Sequence, residues 1–143
     1  MPRAAHAGRW SGGYVFVNGG PLLVLKTGEI APALGFEIAA LPRDTPLGFE
    51  LHTQYDFATG DNADLEVTVN LSWRFRPTPA LALYPLLGFG VAYTWFADGT
   101  NDSLPILRYG GGAEWWLGDL FLGVEVAAIG RLPSLTGHVG WRF

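Results

Sequence analysis

The sequence contains no cysteine. That removes disulfides, thiolate metal sites and thiol catalysis at one stroke. Charge is scarce as well: 15% of residues are Asp, Glu, Lys or Arg, against about 25% in an ordinary soluble domain. What charge there is leans acidic, with Lys+Arg 9 against Asp+Glu 13 and no basic run, which excludes nucleic acid as an electrostatic partner. No helix-like apolar block dominates either. The stretch Pro77 to Ala97 is uncharged and long enough to span a bilayer as a helix. It carries Pro77, Pro79, Pro85, Gly88 and Gly90, and one proline inside a helix costs about 3 kcal/mol. A strand through Pro85 requires a local bulge. In place of these missing features stand 20 Gly, 6 Trp, 9 Phe and 5 Tyr in 143 residues. The aromatic load excludes disorder, the length is that of one domain, and so greasy a chain needs an apolar solvent.

Periodicity supplies the architecture. From Leu47 to Phe57, residues Leu47, Phe49, Leu51, Tyr55 and Phe57 share one parity, while Gly48, Glu50, His52, Gln54 and Asp56 share the other. That alternation is the strand signature. Leu65 to Arg76 repeats it: Leu65, Val67, Val69, Leu71, Trp73 and Phe75 against Glu66, Thr68, Asn70, Ser72, Arg74 and Arg76. The polar stretch Ala58 to Asp64 between them reads as a loop. The remaining strands fall near Gly8–Val17, Glu29–Leu41, Leu81–Phe96, Ile106–Leu117, Leu120–Ile129 and from Ser134 to the end. The first hairpin tip is either Asn18-Gly19-Gly20 or Lys26-Thr27-Gly28. The pattern predicts eight strands of about ten residues, the length of a tilted transmembrane strand. The turns at Pro42–Pro46, Pro77–Pro79 and Gly118–Asp119 are short, whereas Ala58–Asp64 and Ala97–Ser103 are longer and polar. Short turns on one side and longer loops on the other are expected of an all-β, eight-stranded antiparallel up-and-down transmembrane barrel.

Sidedness follows from size. An eight-stranded barrel has a narrow interior, so the large apolar parity is expected to face lipid and the small or charged parity the lumen. Trp10, Trp73, Trp115 and Trp141 then form an aromatic girdle near the short-turn ends. Tyr55, Phe57, Tyr93, Trp95 and Tyr109 form the opposite one, as the interfacial preference of Trp and Tyr predicts. Trp116 is the exception, of inward parity. Before the barrel, residues 1–7 form a tail in which Ala5-His6-Ala7 fits a signal-peptidase site, leaving 8–143 as a single barrel domain.

The end of the chain, Thr136-Gly-His-Val-Gly-Trp-Arg-Phe143, carries a resemblance. Its alternation of Val139, Trp141 and Phe143 is similar to the terminal signal of the eight-stranded outer-membrane barrels typified by the OmpA transmembrane domain and OmpX. His138 stands where such a signal usually has glycine. The resemblance implies a Gram-negative-type outer membrane, contact with the lipid bilayer and lipopolysaccharide, and recognition of those three residues by the barrel-assembly machinery. It says little about activity, because this fold hosts many functions.

Inward parity gathers Arg9, Arg74, Arg76, Arg108 and Arg142 with Glu37, Glu50, Glu66, Glu114 and Glu125, joined by His52, Asp56 and His138. Five Arg against five Glu is near neutral, and buried charges must pair. For Arg74 the candidate partners are Glu50 and Glu66. The expectation is a polar network that plugs the lumen; the alternative is a gated path for ions or small solutes. A lipid A-modifying enzyme would need a hydroxyl nucleophile with His and a carboxylate. His52 and Asp56 supply orientation but no nucleophile accompanies them, and three histidines without ligand spacing do not make a metal site. The chain is thus read as a non-enzymatic barrel without cofactor, serving in structure, anchoring or interaction with an envelope protein.

Overall fold

The computed structural model describes residues 12–24, 29–41, 46–59, 62–129 and 132–143. Its strands are β1 (Gly12–Val24), β2 (Glu29–Leu41), β3 (Leu47–Thr59), β4 (Asn62–Trp73), β5 (Phe75–Thr78), β6 (Leu81–Trp95), β7 (Asn101–Leu117), β8 (Leu120–Ile129) and β9 (Leu132–Arg142). β5 continues β4 after a one-residue break at Arg74, so the nine runs make eight staves. All neighbours pair antiparallel; β1 pairs with β9 and β4 with β6, which closes the sheet on itself. Closure leaves no open edge, the condition for crossing a bilayer with strands.

The stagger of the barrel can be followed residue by residue. From Leu22 the ladder passes through Ser134, Ala127, Gly110, Leu86, Ser72 and Gly48. One further step in the β2–β3 register reaches Leu41, which pairs with Gly12. The circuit returns to β1 ten residues before it began (22 − 12). With eight staves, that shear tilts the strands by roughly 40° to the axis.

Several boundaries differ from the sequence reading. β1 runs through Asn18-Gly19-Gly20 to Val24, which pairs with Glu29, so the tip is not at Asn18-Gly19-Gly20; Lys26-Thr27-Gly28 lies outside the described residues. Ala58, Thr59 and Asn62 to Asp64, expected in a loop, are strand residues, and so are Asn101 to Ser103. Gly12, the first described residue, and Phe143 lie at one end, the terminal end, with the connections 42–46, 79–80 and 118–119. The opposite loop end carries 25–28, 60–61, 96–100 and 130–131. Polar residues mark where lipid stops, but a hairpin ladder continues beyond that level, because its backbone groups stay paired. Gly99, at φ 82, closes the 96–100 turn, where Phe96 N donates to Thr100 O and Asp98 Oδ1 accepts from Thr100 N (2.9 Å).

Sidedness agrees in β3 and β4. Leu51 and Val69 are about half exposed on the outer face, whereas His52, Gln54 and Thr68 are buried in the lumen. The size argument fails elsewhere. Tyr14, Phe16, Tyr84, Trp116 and Phe121 are all buried inside. Glycine makes the room for many of the large side chains. Phe121 pairs across the ladder with Gly140, His138 with Gly123, Tyr84 with Gly112, Asn70 with Gly88 and Asn18 with Gly35. A Cβ on any of these five glycines would overlap the side chain opposite. Small and large residues thus alternate around the interior wall rather than dividing between inside and outside.

Pro85 also finds its account. The β4–β6 ladder ends at Ser72↔Leu86 and resumes in β5 at Phe75↔Leu83. Pro85 faces the interruption, so its missing N–H forfeits no bond on that side. Arg74 N turns instead to Pro46 O at 2.8 Å.

The lumen as candidate functional site

At the break between β4 and β5, Arg74 enters the lumen. Its Nη1 donates to Glu50 Oε1 (2.8 Å) on β3, and its Nη2 to Glu114 Oε1 (3.0 Å) on β7. Its guanidinium lies 4.7 Å from the Tyr14 ring centre and 4.8 Å from that of Tyr84, distances at which a cation is drawn to an aromatic face. Tyr14 Oη donates to Glu50 Oε1 (2.9 Å), Ser72 Oγ hydrogen-bonds the same oxygen, and Trp116 Nε1 donates to Glu114 Oε2 (3.1 Å). One arginine is therefore shared by two carboxylates from staves that do not touch.

Arg108 on β7 repeats the arrangement further toward the loop end. Its Nη2 is hydrogen-bonded to Glu125 Oε1, and its Nη1 lies 3.5 Å from Glu37 Oε2. Tyr84 Oη donates to the other oxygen of Glu125 (2.9 Å), and His52 Nδ1 to Glu37 Oε2 (3.1 Å). Each arginine thus holds two glutamates, and each unit has a tyrosine donating to one of them. Below, at the terminal end, Phe121 packs on Trp116 (centroids 4.5 Å) and edge-on to Tyr14 (5.4 Å), while His138 stacks on Phe16 (4.7 Å). Such pairs contribute about 0.5–1.5 kcal/mol each beyond burial.

Toward the loop end the wall changes. Ala31, Ala33 and Gly35 on β2 and Gly88, Gly90 and Ala92 on β6 put nothing beyond a Cβ into the lumen. The long side chains here are Gln54 and Asp56 of β3 and Glu66 of β4, all buried. Gln54 Nε2 donates to Asp56 Oδ1 (2.8 Å).

The charge balance differs from the expected one. Arg9, with Trp10, lies outside the described residues. Arg142 sits at the terminal rim, a third exposed, where its Nη2 meets Asp119 Oδ1 (2.7 Å). Arg76 is half-buried at the same mouth, 5.4 Å from the Trp116 ring. Among the described residues, then, Arg74 and Arg108 are the buried arginines, against Glu37, Glu50, Glu66, Glu114, Glu125 and Asp56. Among the described residues the buried set is acid-rich rather than near neutral, because parity identifies inward residues without showing which sit at a mouth. Of the two partners expected for Arg74, Glu50 is engaged and Glu66 is not; Glu114, across the lumen, takes the second place.

On the outer face, Trp73, Trp115 and Trp141 are exposed near the terminal end, with Phe75 and Phe143 beside them. Tyr55, Phe57, Tyr93 and Trp95 lie near the loop end, the rings of Tyr55 and Phe57 5.1 Å apart. Tyr109 does not join them: β7 begins at Asn101 rather than Ile106, which puts Tyr109 at the middle of that strand. Val139 and Trp141 face outward on β9, and Phe143 exchanges two backbone hydrogen bonds with Gly13 (3.0 and 3.2 Å).

The residues that sequence reasoning missed are Tyr14, Tyr84, Ser72 and Phe121. Their signal was present. Tyr14 shares parity with Asn18, Tyr84 with Gly88, and Phe121 with Glu125, but size was allowed to override parity.

No protein-family model and no curated protein matches the sequence. Solved structures do. The N-terminal β-barrel domain of Pseudomonas aeruginosa OprF superposes with a TM-score of 0.68 at 14% identity, covering 95% of this chain and 100% of that one. Neisserial surface protein A gives 0.70 at 11%, covering 95% and 99%. A de novo designed transmembrane β-barrel gives 0.64 at 17%, covering 93% and 96%. The chain has the eight-stranded transmembrane barrel fold. That a designed protein shares it underlines that the fold alone carries no activity.

Proposed function

We propose that the chain is an integral barrel of a Gram-negative-type outer membrane with a structural role, anchoring or holding an envelope protein, and that its lumen is plugged. The observation that carries this is the terminal half of the lumen, where Arg74 bridges Glu50 and Glu114 above the packed rings of Tyr14, Phe16, Trp116 and Phe121. Buried ion pairs with every charge engaged hold side chains in place more than they create a path. The outer face, apolar with aromatic bands, suits lipid and lipopolysaccharide. Val139, Trp141 and Phe143 are the segment the barrel-assembly machinery would read. A non-enzymatic role is supported by the histidines: among the described residues His52 is engaged by Glu37, and His138 is stacked between aromatic rings. Short connections favour a partner gripped at the rim over a broad adhesive surface.

Planar-bilayer recording tests the plug. The wild-type protein is expected to show no steady openings, and Trp116→Ala combined with Phe121→Ala to produce them. Steady openings of the wild type would replace the plug by a channel for ions or small solutes. Lipid A mass spectra that change when the protein is present would replace both by an enzyme.

A further inference from the structure

At the loop end the barrel wall is uneven. β7 pairs with β8 only from Arg108↔Ile129 downward, whereas it stays paired with β6 up to Trp95↔Asn101, and β4 follows β6 to Ala63↔Trp95. The sheet β4–β6–β7 therefore rises above the β8 side, and its lumenal face emerges at the mouth. The registers place Glu66, Ala92 and Leu104 in one row of that face and Asp64, Thr94 and Asp102 in the next. Exposure climbs along β7 on a single parity: Arg108 is buried, Ile106 half-buried and Leu104 56% exposed. Leu104 shares the lumenal parity of Arg108, so its open surface meets water at the mouth and not lipid. Phe96, just beyond the end of β6, is also exposed.

Charge on this projection has one sign. Asp102 is exposed and Asp64 half-buried, one on either side of Thr94, and Asp98 is exposed in the 96–100 turn above them. Among the described residues no lysine or arginine stands on this part of the sheet. The edge of the sheet is a separate matter. Among the described residues nothing pairs with the β8 side of 101–107, and such an edge invites an added strand. Here it is blunted. Pro105 keeps its place in the β6–β7 ladder only with its nitrogen turned away from β6, and Ser103, two residues earlier, turns the same way. Pro105 has no N–H to offer, and the Ser103 N–H already donates to Asp102 Oδ1 (2.8 Å). What the projection offers a partner is its face.

We propose that this face docks a basic, apolar segment of the partner protein, with an aliphatic side chain on Leu104 and an arginine between Asp64 and Asp102. The inference rests on the holding role and gives it a seat. A lone exposed leucine needs no explanation. An exposed leucine turned toward the mouth, beside Phe96 and rimmed by acids, marks an interaction surface, and the sign of the rim selects the sign of the partner. Asp64 and Asp102 stand two strand spacings apart, about 10 Å. The barrel already sets one guanidinium between two carboxylates from staves that do not touch, at Arg74. Here the guanidinium comes from outside. A lipid phosphate at the same level would meet like charge.

The test uses the barrel in phosphatidylcholine nanodiscs and a fluorescent octapeptide of alternating leucine and arginine, read by anisotropy against empty nanodiscs. Saturable binding is expected, weakened about tenfold or more by Leu104→Ser combined with Asp102→Asn and reduced by salt. Asp119→Asn, at the opposite end, should leave it unchanged, and the same peptide with glutamate for arginine should not bind. Both substituted side chains are solvent-exposed, so the variant is expected to fold, which heat-modified gel mobility verifies. Binding that survives the double substitution, or that the glutamate peptide reproduces, would overturn the proposal. So would tighter binding by Pro105→Val, which restores an edge N–H and would assign the contact to strand addition. Failure here is separable from failure of the holding role. A protein that co-purifies equally with the wild type and the double variant would keep the role and remove this face as its seat.

Discussion

The two halves of the lumen solve the same problem differently. At the terminal end, Arg74, Glu50, Glu114 and four aromatic rings fill the cross-section, and the charged groups are engaged in short hydrogen bonds. At the loop end, alanine and glycine line two walls, the long side chains are Gln54, Asp56 and Glu66, and among the described residues no arginine bridges the two acids. Both stretches sit in the same narrow tube with the same tilt. The difference teaches that one narrow interior can be filled by arginine bridges and rings in one stretch and by small residues with a few long polar ones in another. Packing there is a property of particular residues.

The largest expected effect tests the filled half. Arg74→Met leaves Glu50 and Glu114 buried without their shared cation, and breaking a buried pair costs about 3–5 kcal/mol. Urea unfolding from lipid vesicles measures it. Glu114→Gln in the same background should recover part of the loss. A double-mutant cycle without coupling would mean that water screens Arg74, and the contrast between the halves would collapse.

Next comes the wall the two halves share. Leu51 lies between Glu50 of the filled half and His52, on the lipid face. Leu51→Arg should destabilise the barrel by about 2–4 kcal/mol at mid-membrane depth, read from the same unfolding transition. If it refolds into vesicles as readily as the wild type, the outer face is not the lipid face. The smallest effect belongs to the loop end. Thr68→Val removes a hydroxyl that has no partner, and deleting an unpaired polar group while keeping its shape is close to neutral or stabilising, within about 1 kcal/mol. A loss comparable to that of Arg74→Met would show that the loop-end half is as tightly built as the half below it.

Much of this was legible in the sequence where one face is polar. Leu47–Phe57 and Leu65–Arg76 reveal their strands and their facing because Glu50, His52, Thr68 and Asn70 alternate with Leu, Val and Trp. Glu37, Glu125 and His138 were placed inward on the same ground. Where large residues occupy the lumenal parity, as Tyr14 and Phe16 do, bulk was a misleading guide, because the cue that a ring fits inside is a glycine on another strand. Gly140 lies 19 residues from Phe121, and nothing local connects them. The Arg74–Glu114 contact was hidden for a related reason. It spans the lumen between staves separated by β6, and only the stagger of the whole barrel decides which charges meet. Strand ends were obscured by polarity, since Asn101–Ser103 pairs as well as any apolar segment.

The glycines that face lumenal side chains have a consequence for assembly. Phe121 over Gly140, His138 over Gly123, Tyr84 over Gly112, Asn70 over Gly88 and Asn18 over Gly35 behave like the bits of a key. A sliding of any of these hairpins by two residues would preserve inside and outside, and so would escape the penalty that polices a slip of one. It would nevertheless misalign bit and notch: Phe121 would meet His138 or Arg142 rather than a bare backbone. The pairs therefore guard against the error that hydrophobic patterning does not detect, and they are distributed over four of the seams around the tube. In a chain with neither disulfides nor a separate core to proofread it, the fidelity of strand pairing rests on which residues lack a side chain.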